Sequence, residues 1–208
     1  MRYLLLALIM PLAASAQDRA GAFDYYVLAL SWSPTWCALE GRARGAAQCD
    51  RALGWTLHGL WPQYESGWPS DCATGQPGPT RGQTAAMTDI MGSAGLAWHQ
   101  WRKHGRCSGL SGPDYLALSR LAYGAVTRPA LLRELDRAVR IDPSVIEAAF
   151  LEANPGLHPD GLTITCKSGR IAEARLCLTR DLAPRRCGED VRRDCRLGDA
   201  LFAPIAQD

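Results

Sequence analysis

The stretch Leu96–Cys107, LAWHQWRKHGRC, carries two of the chain's four histidines and one of its two lysines. Read as a helix at about 100° per residue, it gathers four polar side chains within about a 140° arc: His99, Gln100, Lys103 and His104. A general base, a cation and hydrogen-bond donors on one face are what phosphoryl chemistry requires when no metal assists it. The stretch therefore predicts a helix with a catalytic face, and we expect the fold to be organised around it.

A third histidine lies upstream in residues 55–62, WTLHGLWP. This segment predicts a strand that ends at its proline, with Trp55 and Leu57 on one face and Thr56 and His58 on the other. Two imidazoles that titrate near neutral pH can act as base and acid in one turnover. We expect the strand and the helix to meet across one cleft.

Metal binding by the histidine pair is disfavoured by its spacing. A zinc-protease helix has two histidines four residues apart with a glutamate beside the first, whereas His99 and His104 are five apart and the neighbour is Gln100. The cysteines form no C-x-x-C pair, which argues against a zinc site. We therefore expect neither a metal nor another cofactor. The fourth histidine, His158, follows a predicted helix and is expected in an exposed loop.

Residues 1–16 have the features of a secretory signal: Arg2, an apolar run over residues 3–12, and the small-x-small pattern Ala14-Ser15-Ala16. The alternative, a membrane anchor, is disfavoured because the run is shorter than the ~20 residues that a span requires. No later segment is apolar enough to cross a membrane. We expect a mature domain of residues 17–208, exported to the periplasm or the extracellular medium.

The eight cysteines, at 37, 49, 72, 107, 166, 177, 187 and 195, all follow this leader. An even number of cysteines in an exported chain indicates four disulfides. The sequence pattern by itself leaves about 105 possible pairings open.

A length of 208 residues fits one domain, and a net charge of +2 leaves any basic surface local. Strands are predicted at Phe23–Trp32, Gly54–Trp61, Leu162–Cys166 and Ile171–Thr179, the last two joined by a turn at residues 167–170. Helices are predicted over Thr88–Gly105, from Ser111 to about Tyr123, after Pro129 with an apolar face reaching Val139, and from Asp142-Pro143 to Asn154. Strands, then helices, then strands indicate a single α+β domain.

The segments WTLHGLWP and HQWRKHGRC resemble, in order and spacing, the two active-site segments of the T2 family of secreted ribonucleases. FDYYVLALSWSPTWC, residues 23–37, resembles that family's opening strand, and residues 171–177 its late strand. The resemblance implies an α+β fold with a central, mainly antiparallel sheet flanked by helices and stapled by disulfides. It also implies an endoribonuclease that cleaves single-stranded RNA without metal. We expect the protein to act as a monomer and to have low base specificity. The ribose 2′-hydroxyl would attack the phosphate, giving a 2′,3′-cyclic phosphate and then a 3′-phosphate.

By position, the resemblance implies a role for each polar residue of the two segments. His104 resembles the general base, His58 the general acid, His99 the histidine that positions the phosphate, and Lys103 the cation of the transition state. The residues that resemble the base-binding region are Trp61, Gln63, Tyr64 and Trp68. The implied disulfides are Cys37–Cys49, Cys72–Cys107, Cys166–Cys195 and Cys177–Cys187.

Two positions depart from the family pattern. Gln100 stands where the family usually has glutamate; an amide exchanges hydrogen bonds but carries no charge, so we expect reduced or altered activity. Leu96 stands where an aromatic residue is usual, which alters the second base pocket. The alternatives are a catalytically impaired RNA-binding or interaction protein on the same fold, which Gln100 favours, and a phosphodiesterase acting on cyclic nucleotides.

Overall fold

A six-stranded sheet runs through the protein, whose computed structural model describes residues 18–205. The strands are β1 (Tyr25–Trp32), β2 (Trp55–Gln63), β3 (Val139–Ile141), β4 (Leu162–Lys167), β5 (Arg170–Leu178) and β6 (Ala200–Phe202). Their order is β2-β1-β5-β6-β3, with β4 also paired to β5. All pairs are antiparallel except β5 with β6. The prediction of a mainly antiparallel sheet is confirmed; the predicted leader, residues 1–16, lies outside the described residues.

Six α-helices flank the sheet within the described residues. They are α1 (Ser33–Trp36), α2 (Arg81–Ala85), α3 (Thr88–Met91), α4 (Ala94–Lys103), α5 (Gly112–Ala125) and α6 (Pro143–Ala153). Short helical turns lie at Cys37–Gly41, Arg42–Arg44, Ala47–Asp50, Gly105–Ser108, Ala130–Arg133 and Pro159–Gly161. None of the helices in residues 18–205 is both long and apolar enough to span a membrane.

Local capping chemistry explains where several of these helices begin. Ser111 accepts a hydrogen bond from the backbone N–H of Asp114 at 3.3 Å, as the sequence predicted for the start of α5. Asp142 accepts one from the Ser144 N–H at 2.9 Å and starts α6. The predicted helix over residues 88–105 is instead two helices. The break lies at Gly92, whose φ of 82° ends α3, and α4 restarts at its cap, Ser93.

Two further expectations about strands and helices are wrong. The helix predicted after Pro129 is only a short turn, and Val139–Ile141 forms β3, paired with β6. The β-branched residues at both ends of this segment suit a strand, and the pairing with β6 decides the outcome. Pro62 does not end β2, since it is paired with Tyr26 and the strand continues to Gln63. β2 is an edge strand, where a missing N–H on the outer side is tolerated.

Alternate residues of β1 face the two sides of the sheet. Leu28, Leu30 and Trp32 are fully buried in the main core, together with Phe150 from α6. On the other face, Tyr25 and Val27 pack with Cys177, Cys187 and Val191. The main core lies between the sheet and the helices. The opposite face carries this small cluster and, beside it, a cleft that includes Ser31 and His58.

The structure contains four disulfides, and they are the four pairs that the resemblance implied. Cys72–Cys107 closes a loop of 35 residues and joins the segment after β2 to the turn after α4. The backbone N–H of Asp71 also donates to the Lys103 carbonyl at 2.8 Å. The long loop between β2 and α2 is therefore fastened beside the histidine-bearing helix.

Candidate active site

An irregularity in β2 turns His58 onto the open face of the sheet. Leu57 pairs with Leu30 and Gly59 pairs with Ala29, so His58 is an extra residue opposite β1. Such a bulge shifts the alternation of side chains by one position. As a result, His58 and Trp61 share a face although they are three residues apart, and their ring centroids lie 5.1 Å from each other.

Helix α4 supplies the second histidine through its carboxyl end. His104 follows the last residue of the helix, and its ring centroid lies 5.4 Å from that of Trp61. The indole of Trp61 therefore contacts both His58 and His104. This confirms that the strand and the helix meet, as the sequence predicted. His99, one turn earlier on α4, is exposed at the same side.

Gln100 lies beneath the indole and not on the exposed face of α4. Its side chain is 2% exposed, and its Oε1 accepts a hydrogen bond from Trp61 Nε1 at 2.7 Å. A Cβ at Gly59 would collide with both of these side chains. The glycine beside His58 is thus required by the close approach of the amide and the indole.

His104 is held in an environment that favours its neutral form. Burial, followed by the positive charges of Lys103 and His58, lowers the pKa of the His104 imidazole to about 4. Its Nδ1 is buried and has no hydrogen-bond partner within residues 18–205. The ring is therefore uncharged at neutral pH and able to accept a proton.

His58 is hydrogen-bonded to a carboxylate that lies in neither histidine segment. Its Nδ1 lies 2.5 Å from Oε1 of Glu173, which projects from β5 opposite Ser31 of β1. Arg175, two residues further on the same face, donates two hydrogen bonds to Glu173 Oε2, at 3.0 and 2.7 Å. Burial raises the pKa of Glu173, but the hydrogen bond from His58 and the charges of His58 and Arg175 outweigh it and lower that pKa to about 2.

A sequence signal for these two residues existed, but it was incomplete. Glu173 and Arg175 are charged residues spaced by two in an otherwise largely apolar strand, RIAEARLCL, so they must share a face. What the sequence could not provide was the neighbour of that face. The pairing of β5 with β1 brings Glu173 to a histidine 115 residues away.

The four remaining predicted site residues differ in exposure and in their contacts. Lys103 Nζ lies 4.0 Å from the Asp71 carboxylate, at the edge of the site. Gln63 is buried and its Nε2 donates to the Pro62 carbonyl, so its side chain does not join the histidines. Tyr64 donates through its hydroxyl to Asp18 at 3.2 Å. Trp68 is 56% exposed on the loop after β2.

A cleft of about 860 Å³ opens beside His58 and Glu173. Its lining includes His58, His99, Glu173 and Arg175, together with Leu96, the position where an aromatic residue was expected. No cluster of three histidine, cysteine or acidic residues suited to a metal lies in the part of the chain that the structure describes. The arrangement offers two histidines in different environments for proton transfer, and the cationic side chain of Arg175 lines the cleft beside His58.

Comparisons with known proteins find similar chains among ribonucleases. The sequence model described as the Ribonuclease T2 family matches residues 23–123. A ribonuclease from Aeromonas hydrophila is 38% identical over 173 residues, which is 81% of this chain and 78% of that protein. Among solved structures, an RNase-related protein from Calystegia sepium has a TM-score of 0.68 at 20% identity, covering 88% of this chain and 98% of its own. RNase NT in complex with 5′-AMP has a TM-score of 0.59 at 18% identity, with coverages of 88% and 98%.

Proposed function

The chain belongs to the ribonuclease T2 family and is a T2-type endoribonuclease, and from that premise we propose how it cleaves RNA. The substrate is single-stranded RNA, and the reaction is a metal-independent transphosphorylation of low base specificity. The ribose 2′-oxygen forms a bond to phosphorus while the bond to the 5′-oxygen breaks. The product is a 2′,3′-cyclic phosphate, which water then opens to a 3′-phosphate.

His104 is the general base of this proposal and His58 is the general acid. His104 removes the proton of the 2′-hydroxyl, and His58 delivers a proton to the departing 5′-oxygen. In the second step the roles reverse, with His58 activating water. The assignment rests on one observation: the His58 and His104 imidazoles both pack against the Trp61 indole, and the His104 ring is neutral at physiological pH. A neutral imidazole is the form that a base requires.

The neighbouring groups then act on the phosphate. His99 positions the phosphate, and Lys103 stabilises the negative charge that develops on its oxygens. Gln100 supports the site through its hydrogen bond to Trp61.

Nucleobases stack on aromatic side chains that border a binding site. In the proposal Trp61, Tyr64 and Trp68 bind the base, next to Gln63 at the end of β2. RNase NT, which shares this fold, is bound to 5′-AMP, which supports a nucleotide site in this family. The protein acts as a monomer.

Four disulfides in the described chain indicate an exported protein, because such bonds persist in oxidising compartments. We propose that residues 1–16 are a cleaved export signal and that residues 17–208 form the ribonuclease domain. Mass spectrometry of protein recovered from the periplasm and the medium tests this, since a mature chain should begin at Gln17.

Incubation of the purified protein with RNA in excess EDTA tests the proposed chemistry. We expect cleavage, with 2′,3′-cyclic phosphate ends that convert slowly to 3′-phosphates. His58→Ala and His104→Ala should each remove most turnover. His158→Ala is the matched control, because His158 caps the turn at residues 159–161 and its ring contacts Asp160 and Arg186, away from the other histidines. Cleavage that depends on added metal would refute the mechanism.

The second candidate is an RNA-binding protein with impaired catalysis, and the amide at position 100 favours it. In the same assay it would leave RNA intact while binding it measurably. Gln100→Glu would then restore cleavage if the amide were the cause of the impairment.

A further inference from the structure

We propose that Glu173 is a positioning residue that makes His58 the general acid, by holding its Nδ1 so that Nε2 presents the proton to the leaving oxygen. The inference rests on the proposed function and adds a residue that neither active-site segment contains. Glu173 touches no reacting atom in this scheme and acts through the imidazole.

The carboxylate is fixed by neighbours on three sides. Oε1 accepts hydrogen bonds from His58 Nδ1 at 2.5 Å and from the Ser31 hydroxyl at 3.2 Å. Oε2 accepts hydrogen bonds from Nε and Nη2 of Arg175. Only 13% of the Glu173 side chain is exposed. With its oxygens occupied in this way, the carboxylate has one orientation, and it imposes one orientation on the histidine ring.

The two nitrogens of an imidazole point to opposite sides of the ring. Because Nδ1 donates to Glu173, Nε2 is directed away from the carboxylate and is free to meet substrate. The negative charge stabilises the imidazolium that must exist before the proton is released. His104 has the opposite surroundings, since it is buried, its Nδ1 has no partner within residues 18–205, and Lys103 lies beside it. Different environments around two similar groups are what separates an acid from a base in one site.

Several charged or titratable groups face His58 from the surrounding elements. They are Glu173 and Arg175 on β5, Lys167 on β4, Glu40 and Arg44 on the turns after α1, and His99, Lys103 and His104 on and after α4. Glu40 is itself bonded to Lys167 and to Arg44. Among these groups Glu173 is the carboxylate in hydrogen-bond contact with the His58 ring.

The proton balance of the step is simple. The base takes the 2′-hydroxyl proton, the 2′-oxygen bonds to phosphorus, and the bond from phosphorus to the 5′-oxygen breaks. The electron pair left on the 5′-oxygen receives the Nε2 proton of His58. Glu173 is ionised before and after, so it contributes orientation and charge without changing its own protonation.

A change of leaving group tests the proposal, because a good leaving group departs without an acid. The substrates are a uridylyl dinucleotide, whose 5′-alkoxide needs a proton, and uridine 3′-(4-nitrophenyl phosphate), whose phenolate does not. For Glu173→Gln we expect kcat/KM to fall about 10- to 100-fold on the dinucleotide and less than about 3-fold on the aryl ester, since general acid catalysis contributes about 10²- to 10⁴-fold. His104→Ala should fall on both substrates, since the 2′-hydroxyl must be deprotonated in each.

The pH profile is the second readout. Loss of the carboxylate makes the imidazolium less stable, so the alkaline limb of the dinucleotide profile should move to lower pH in Glu173→Gln. Asp199→Asn is the matched control, because that carboxylate also pairs with an arginine, Arg140, but lies beside β3 and β6. It should change neither the limb nor the leaving-group ratio.

The outcomes separate this inference from the proposed function. Equal losses on both substrates, or no loss on either, would overturn the role of Glu173 while leaving the ribonuclease mechanism standing. If the unmodified protein cleaves neither substrate, the proposed function itself fails. Thermal melts followed by circular dichroism show whether each variant is folded, and if Glu173→Gln is unfolded, Glu173→Asp takes its place with the same expected pattern and a smaller loss.

Discussion

The low pKa of His104 leads to a specific prediction about acid conditions. If His104 is the base, acidification should not impair catalysis until the ring is protonated. With a pKa of about 4, about 90% of the ring is still neutral at pH 5, whereas an ordinary imidazole, at 6.5, would be only about 3% neutral. At pH 5 the two cases differ by about 30-fold in kcat/KM. We therefore expect the acid limb of the rate profile to lie near pH 4.

The assay is kcat/KM for cleavage of uridylyl-uridine from about pH 3 to about pH 8, since neither uracil nor the phosphodiester titrates in that interval. The His104 signal is assigned by its loss in the His104→Gln spectrum, and its NMR titration gives an independent value. An acid limb near pH 6.5, or an imidazole that titrates there, would refute both the burial argument and the choice of base.

The same shift affects stability, with a definite sign. The folded protein holds this proton more weakly than the unfolded chain, so the stabilisation is present above pH 6.5 and is lost as the pH falls from 6.5 through about 4. The loss is at most about 3 kcal/mol, because one pKa unit corresponds to about 1.4 kcal/mol and the ring is partly exposed. Urea unfolding at each pH must therefore accompany the kinetics, so that unfolding is not mistaken for protonation of the base.

Three further predictions concern the support of the site. Gly59→Ala places a methyl group against the Gln100 amide and the Trp61 indole, so it should lower the free energy of unfolding in urea by about 1–3 kcal/mol and remove most activity. The control is Gly124→Ala, in open space on α5, which should leave stability unchanged or raise it. Equal effects of the two substitutions would contradict the contact argument. Replacing Cys72 and Cys107 with alanine opens a loop of 35 residues and should cost about 4 kcal/mol of stability by the chain-entropy relation. Activity should fall with it even where the protein remains folded, because the loop is released from the end of α4; unchanged kcat/KM would show that the fastening is irrelevant to the site. Gln100→Glu keeps an acceptor for the indole and should leave turnover unchanged or raise it, whereas Gln100→Leu removes the acceptor and should lower it; a large loss in the glutamate variant alone would show that a neutral amide is required.

The elements near the site could be predicted because their signals are local. The capping side chains of Ser111 and Asp142 are visible in the sequence and do start helices. The turn at residues 167–170 is a hairpin with positive φ at Ser168 and Gly169, which suits two paired strands. The third predicted helix failed because apolar residues at helical spacing carried no information about β6, which pairs with Val139–Ile141.

The site itself was predicted in part. The two histidine segments were identified, and they do meet. The burial of Gln100 was not foreseen, because a helical wheel orders side chains around an axis without showing which arc packs against another element. The bulge at His58 was also invisible, since the register of β2 against β1 depends on both strands.

The sequence by itself determined the family, the two histidine segments and the number of cysteines, because these depend on residue types and on spacings along one stretch of chain. Tertiary structure alone decided which carboxylate meets His58, which face of α4 is buried, and how strongly burial suppresses the charge of His104. The physical reason is that sheet pairing and desolvation are properties of groups brought together from distant positions. Here Glu173 of β5 contacts His58 of β2 across β1, and the sequence of neither strand indicates that the other is nearby.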